Sequence, residues 1–242
     1  MVKISERLTM AASLVSDGGV LADVGTDHGY VPIYLLQQKR IPRAIAMDIN
    51  RGPLERAKEH SRLYGLEEYI DLRLSDGVKA LKMGEADSIL IAGMGGGLVM
   101  HILEDGKEVC HRAKELILQP QSELERVRAF LRENGYRILA EEIVLEEEKF
   151  YPMMKVCHTG ELSTEEDVDL LKLSNLYGGL LLQNRHPVLK TYLERENTIY
   201  TGIREGLKRQ PQSEKIVSRL AEVEEVLRWN GKARKLYKEK SC

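Results

Sequence analysis

Over roughly the first 158 residues, short apolar runs alternate with stretches whose apolar residues recur at helical spacing. The runs are GVLADVG at 19–25, AIAMD at 44–48, YIDLRLSDG at 69–77, DSILIAG at 87–93 and ELILQPQ at 115–121. Runs of this length, each followed by a helical segment, predict a parallel sheet covered by helices. After the fifth run, Leu124, Val127, Phe130 and Leu131 repeat at three and four positions, and Asn134-Gly135 predicts the helix stop. YRILAEEIVLE and KFYPMMKVC then follow with no room for a helix between them, which predicts an antiparallel pair closing the sheet edge. Five parallel strands and a terminal hairpin make a seven-stranded, doubly wound α/β sheet.

From Ser163 the strand signal disappears. Val188, Tyr192, Ile199, Ile203 and Leu207, then Ile216, Leu220, Val223 and Leu227, fall on helical stripes, with QPQS at 210–213 between them. Proline disfavours a continuous helix there, and Ser213 can cap a new one. The pattern predicts a C-terminal antiparallel helical hairpin of coiled-coil type. The boundary is expected near 160, with an α/β domain at 1–160 and a helical domain at 161–242.

Composition narrows the class without naming a function. The 242 residues are 43% hydrophobic, enough to fill a core. The segment around Ser88 to Met100 is too short and glycine-rich to span a bilayer, and no cationic leader is evident, so a soluble cytoplasmic protein with no membrane association is expected. Cys110, Cys157 and Cys242 lack the spacing of a disulfide framework or a metal knuckle, and no metal site is expected. Net charge is −2, unevenly placed: residues from 203 onward carry 11 basic and 6 acidic groups. Local charge of that sign suits a polyanion, although a solvated charged helix has the same signature.

In an open parallel sheet, ligands bind at the C-terminal strand ends where the winding reverses. The residues there are Asp23, Gly25 and Asp27, then Asp48, then Ser75-Asp76-Gly77, then the glycines at 93 to 97, then Gln119-Pro120-Gln121. Asp48 lies where a carboxylate can accept both hydroxyls of a ribose, which fits a nicotinamide dinucleotide as well as S-adenosylmethionine. The acids separate the two. A pyrophosphate is repelled by a carboxylate at the helix N-terminus, whereas the ammonium and sulfonium of S-adenosylmethionine are helped by Asp23 and Asp27. Asp76 is placed to accept from an adenine amino group, and the terminal hairpin resembles class I methyltransferases more than dehydrogenases. Each aspartate alone is an ordinary turn residue; three at successive strand ends point to a shared ligand. The glycines let a flat ligand lie against the backbone. Ala92-Gly93-Met94-Gly95-Gly96 stands where enzymes that methylate exocyclic amines of adenine usually present an Asn- or Asp-Pro-Pro-aromatic turn, which argues against such a target.

With these residues assembled, the chain resembles the bacterial tRNA (adenine(22)-N1)-methyltransferases, the TrmK family. RLTMAASLV, ADVGTDHGYVPIYL, AMDINRGPLERA, RLSDG, IAGMGGGLVMHIL, LILQPQSELERVRAFLRENGYRI and HPVLKTYL look like its blocks, in order and over essentially the whole chain. Gly179, where a proline is expected, and Pro152, inside a strand, depart from the pattern. The resemblance implies a class I methyltransferase Rossmann-like fold, S-adenosylmethionine as donor with S-adenosylhomocysteine as product, N1 of adenine 22 in tRNA as acceptor, and no obligatory protein partner. It implies cofactor binding by Arg7, Asp23, Gly25, Asp27, His28, Asp48, Ile49, Asp76, Gly77, Ala92, Gly93, Met94 and Gly95. Asp27, His28 and Tyr30 become the catalytic candidates: an acid for the cofactor or the charged ring, a polar contact or proton acceptor, and a stacking wall. Arg7 is read as reaching the cofactor carboxylate or a phosphate. For the tRNA, Arg204, Lys208, Arg209, Lys215, Arg219, Arg228, Lys232, Arg234, Lys235 and Lys238 are the candidate contacts, while Trp229 and Tyr237 are expected to pack at helix ends. His60, His101, His111, His158 and His186 are expected to be structural. A small-molecule methyltransferase and a non-catalytic S-adenosylmethionine-binding interaction module are the alternatives.

Overall fold

The computed structural model describes residues 1–161, 167–211 and 213–237. Ser163, Gln212, Lys238 and Cys242 lie outside the described residues. The chain divides into two compact units, Met1–Thr164 and Glu165–Cys242.

The first unit opens with α1 (Glu6–Leu14), started by Ser5, whose Oγ accepts from the Leu8 N–H at 3.3 Å. There follow β1 (Leu21–Val24), α2 (Tyr30–Gln37), β2 (Ala44–Asp48), α3 (Arg51–Leu63), a short 3-10 turn at Glu67–Tyr69 and β3 (Ile70–Leu74). Then come β4 (Ser88–Met94), α4 (Gly96–Asp105), α5 (Lys107–Arg112), β5 (Glu115–Pro120), α6 (Leu124–Glu133), β6 (Tyr136–Glu146) and β7 (Lys149–His158). All seven strands form one sheet in the order β3-β2-β1-β4-β5-β7-β6. The first five are parallel, and β7 runs antiparallel to both β5 and β6.

The apolar runs become central strands because both of their faces are covered. Ala22, Val24, Ile89, Ile91, Leu116 and Leu118 enter one core cluster, while Leu21, Leu90 and Ile117, one residue out of phase, enter the other. The winding reverses at β1, which pairs with β2 on one side and β4 on the other. That placement puts the loops after β1 and β4 side by side at the switch point. Pro152 is accommodated because pairing of β7 with β5 ends at Met154, so proline sits where β6 is the only neighbouring strand.

The second unit holds α7 (Val168–Tyr177), α8 (Gly179–Gln183), α9 (Pro187–Lys208) and α10 (Glu214–Leu236). His186 Nδ1 accepts from the Val188 N–H at 3.3 Å to start α9, with Pro187 in its first turn. Ser213 Oγ accepts from the Ile216 N–H at 3.4 Å to start α10, and the two long helices pack along each other. The buried face of α9 carries Leu189 and Leu193, whereas Ile199, expected on the apolar stripe, is 49% exposed. The spacing allows two adjacent phases, and packing selects the one through Leu189. Trp229 is buried, donates its indole N–H to Glu225 Oε1 at 2.5 Å and lies under Arg228 and Lys232; Tyr237 donates to the His186 carbonyl at 3.2 Å. No helix among the described residues is long and apolar enough to cross a membrane.

Candidate active site

The loop between β1 and α2 turns sharply because Gly25 and Gly29 take φ of +74° and +68° and Asp27 takes +46°. The Met47 carbonyl of β2 accepts from the N–H groups of Gly25 (2.8 Å) and Thr26 (3.0 Å), which ties the loop to the sheet. The φ of +74° is what reserves this position for glycine, and the only atom that a Cβ there would crowd is Met94 Cε, the movable end of a side chain from β4. Asp23, at the end of β1, is buried and accepts from Thr26 Oγ1 at 2.6 Å. Removal from water pushes its carboxyl up to about 6; the Thr26 hydrogen bond opposes the shift and Asp48 adds to it. Asp48 closes β2, with Oδ1 accepting from the Asn50 N–H at 2.8 Å. Ile49 follows it, 61% exposed, and exposed Leu74 is the register partner of Asp48 on β3. An apolar lip therefore borders that carboxylate.

Beyond β3, Ser75 Oγ accepts from the Ala80 N–H at 3.0 Å and donates to the Gly77 carbonyl at 2.9 Å, fixing the turn that presents Asp76. Lys79 Nζ binds Asp76 and lies 3.5 Å from Asp105, and its bond to Asp76 is the main reason that carboxyl titrates below the usual range. Asp27 is also engaged: Arg56 of α3 binds Oδ1, and His28 Nε2 stands 3.5 Å from Oδ2. The His28, Tyr30 and His60 rings lie nearly parallel, within 21°, and stack pairwise with centroids 5.0 to 5.2 Å apart, forming one aromatic cluster. His60 Nδ1 is 3.0 Å from the His28 carbonyl. A carbonyl only accepts, so that nitrogen carries the hydrogen.

At β4 and β5, Gly93 (φ +78°) and Met94 lead to Gly95, the residue before α4. Gln119, near the end of β5, is fully buried; its Oε1 accepts from Arg7 Nη1 at 2.8 Å and from the Gly93 N–H at 3.1 Å. The Arg7 guanidinium also lies 5.5 Å from the centre of the Tyr151 ring. Among the described residues, no group of three His, Cys, Asp or Glu side chains could hold a metal ion.

The structure thus brings Arg7, Asp23, Gly25, Asp27, His28, Tyr30, Asp48, Ile49, Asp76, Gly77, Ala92, Gly93, Met94 and Gly95 to one edge, the C-terminal ends of the parallel strands and the α1 residue that reaches them. Sequence reasoning left Arg56, Lys79 and Gln119 without a role and assigned His60 only a structural one. A glutamine closing an otherwise apolar run was the available signal for Gln119, whereas the partners of Arg56, His60 and Lys79 emerge only in three dimensions.

Residues 4–154 match the protein family described as a methyltransferase domain. The chain is 35% identical over 219 residues to the tRNA (adenine(22)-N(1))-methyltransferase of Bacillus subtilis, covering 89% of this chain and 92% of that protein. The crystal structure of the B. subtilis m1A22 tRNA methyltransferase TrmK superposes with a TM-score of 0.81 at 30% identity, over 96% of this chain and 99% of that one. M. capricolum TrmK, solved with the cofactor product S-adenosylhomocysteine, superposes with a TM-score of 0.80 at 26% identity, over 96% of this chain and 98% of that one. On sequence, over nearly its full length, and on fold alike, the chain belongs to the tRNA (adenine(22)-N1)-methyltransferase family.

Proposed function

We propose that the protein transfers the methyl group of S-adenosylmethionine to N1 of adenine 22 in tRNA. The observation that carries the reading is the row of carboxylates at successive strand ends, Asp23, Asp48 and Asp76, beside a loop that turns through Gly25 at φ +74°. That acceptor set suits a cationic nucleoside and not a pyrophosphate. Asp48 accepts the ribose hydroxyls, Asp76 and the Gly77 backbone meet the adenine edge, and Ile49 covers the ring. Gly25 and the Ala92 to Gly95 backbone line the methionyl chain, Arg7 meets its carboxylate, and Asp23 and Asp27 face its positive groups.

The cofactor supplies an electrophilic methyl carbon on a sulfonium. Adenine N1 has an in-plane lone pair and loses no proton before attack, so the protein's work is alignment, exclusion of water and stabilisation of the charge gained by the ring. Tyr30, in the stacked cluster with His28 and His60, offers a π-face to the base. Asp27 sets a carboxylate next to that face, and His28 offers a polar edge. Pairing buries N1 in a duplex, so adenine 22 must arrive unpaired, at a cost of about a few kcal/mol when it is drawn from a helix. The basic residues of α9 and α10 supply the phosphate contacts.

Methyl-labelled S-adenosylmethionine, incubated with the protein and an unmodified tRNA transcript, should place label on N1 of adenine 22, read by nuclease digestion and mass spectrometry. A transcript with guanine at position 22 should stay unlabelled. Label in a metabolite extract but not in tRNA would reject the proposal, as would label elsewhere in the tRNA. Asp48→Ala should weaken S-adenosylhomocysteine binding by roughly 10- to 100-fold in calorimetry, the loss expected for hydrogen bonds to a charged acceptor. Unchanged affinity would remove Asp48 from the ribose role.

A further inference from the structure

The last polar side chain of β5 has its hydrogen bonding half complete. Gln119 is fully buried, and its Oε1 receives two donors, Arg7 Nη1 at 2.8 Å and the Gly93 N–H at 3.1 Å. Those two contacts fix the amide orientation, because a flipped amide would set its NH2 against both donors. Nε2 is then a buried donor group with no acceptor among the described residues. Folded proteins rarely leave such a group unmet, and where one persists beside a binding site it marks a place for a ligand acceptor.

The surroundings specify the acceptor. Gly93 is exposed, and a Cβ built on it would lie 3.7 Å from Arg7 Nη1 and 3.9 Å from Gln121 Nε2. A guanidinium and an amide NH2 therefore flank one glycine whose own N–H is bonded to the Gln119 oxygen. Glu146 Oε1 accepts from the backbone N–H groups of Glu6 at 2.6 Å and Arg7 at 3.5 Å, holding the start of α1 that carries Arg7. Arg7 Nη1 and Gln121 Nε2 border the place where Gly93 has no Cβ, and the Gln119 acceptor is already consumed. Such a subsite selects a planar anion and discriminates against an ammonium.

We propose that Gln119 is a cofactor-reading residue: its Nε2 donates to the carboxylate of the methionyl group, while its Oε1 holds Arg7 in place to bind the same carboxylate. This rests on the S-adenosylmethionine reading given above and adds a residue and an orientation to it. The amino acid end of the cofactor enters with its carboxylate toward β5 and α1 and its ammonium turned away from them.

The test uses two ligands that differ in that carboxylate alone, S-adenosylhomocysteine and its decarboxylated counterpart, titrated by calorimetry into the wild-type protein, Gln119→Glu and Gln119→Met. Gln119→Glu keeps an acceptor for Arg7 and Gly93 but replaces the donor by a second carboxylate oxygen. Wild type should prefer S-adenosylhomocysteine by roughly 10- to 100-fold, the range for charge-assisted hydrogen bonds. In Gln119→Glu that affinity should fall by a similar factor, while the decarboxylated ligand binds within about threefold of wild type. Gln119→Met, near in volume and uncharged, should lose the same preference more mildly, with circular dichroism showing that each variant is folded. Equal losses for both ligands, or an unchanged preference in the variants, would overturn the assignment. Wild-type protein that binds both ligands equally overturns it alone, whereas wild-type protein that binds neither overturns the cofactor reading with it.

Discussion

Asp23 is buried at a cost in stability, which its proposed role toward the cofactor accounts for. Burial lifts its carboxyl from 3.8 to about 6, with Asp48 adding to the shift and Thr26 opposing it. The folded protein therefore binds more protons than the unfolded chain between those two values, and stability from this group falls as pH rises through about 6. Above that the penalty is fully present, about 1–3 kcal/mol at neutral pH. Asp23→Asn should raise the melting temperature by a few degrees at pH 8 and by much less at pH 4, while weakening S-adenosylhomocysteine binding; an equal rise at both pH values would show that ionisation is not the cause. The sequence placed Asp23 in the binding loop because an acid there disfavours a pyrophosphate, but burial and the Thr26 bond need the sheet neighbours β2 and β4. Asp27 shows the same limit, since Arg56 lies 29 positions away and already answers its charge. Gln119 and Arg7 are separated by 112 positions, too far for any local pattern to join them.

Among the elements, the strands were legible because each central strand is covered on both faces and bounded by turn residues, which leaves a short apolar run with one reading. AIAMD is β2 to the residue, and the terminal pair is β6 and β7. α1, α7 and α8 were not anticipated. They are 9, 10 and 5 residues long, too short for periodicity to stand out against their flanks. The phase of α9 was not legible either, and a buried polar layer sets its pairing with α10. Asn230 Nδ2 donates to the Leu193 carbonyl at 2.8 Å and to Glu196 Oε2 at 2.9 Å, while Glu196 also accepts from the hydroxyls of Tyr177 at 2.8 Å and Tyr192 at 3.1 Å. Removing the amide takes one donor each from the Leu193 carbonyl and the Glu196 carboxylate, so Asn230→Ala should destabilise the helical unit by about 1–3 kcal/mol. Trp229, the chain's single tryptophan, adjoins the site, so its fluorescence in a urea titration reads that loss directly; an unchanged midpoint would mean the layer does not specify the pairing.

At the scale of the whole molecule, the proposed function is divided between a unit that carries the strand-end carboxylates and one whose C-terminal part carries the surplus positive charge. The residues from 203 onward hold 11 basic and 6 acidic groups, but formal charge overstates what is free to meet a phosphate. Arg204, Lys208, Arg219, Arg228 and Lys232 are already paired with Glu205, Glu224, Glu222, Glu225 and Asp169. Arg209, Lys215, Arg234 and Lys235 have no ion-pair partner among the described residues. A paired arginine must give up its carboxylate, or bring that negative charge along, before it gains a phosphate. The four unpaired groups should therefore carry most of the tRNA attraction. Changing all four to glutamate should weaken tRNA binding steeply and flatten the dependence of log Kd on log salt by roughly 0.7 to 0.9 for each phosphate that the protein ceases to neutralise. The same change at Arg219 and Arg228, whose neighbours already neutralise them, should have a smaller effect on the slope. Binding of S-adenosylhomocysteine should be unaffected in both variants, because the residues proposed to hold it lie in the other unit. If reversing the paired set costs as much as reversing the unpaired set, the internal ion pairs open on contact with tRNA and the distinction between the two sets fails.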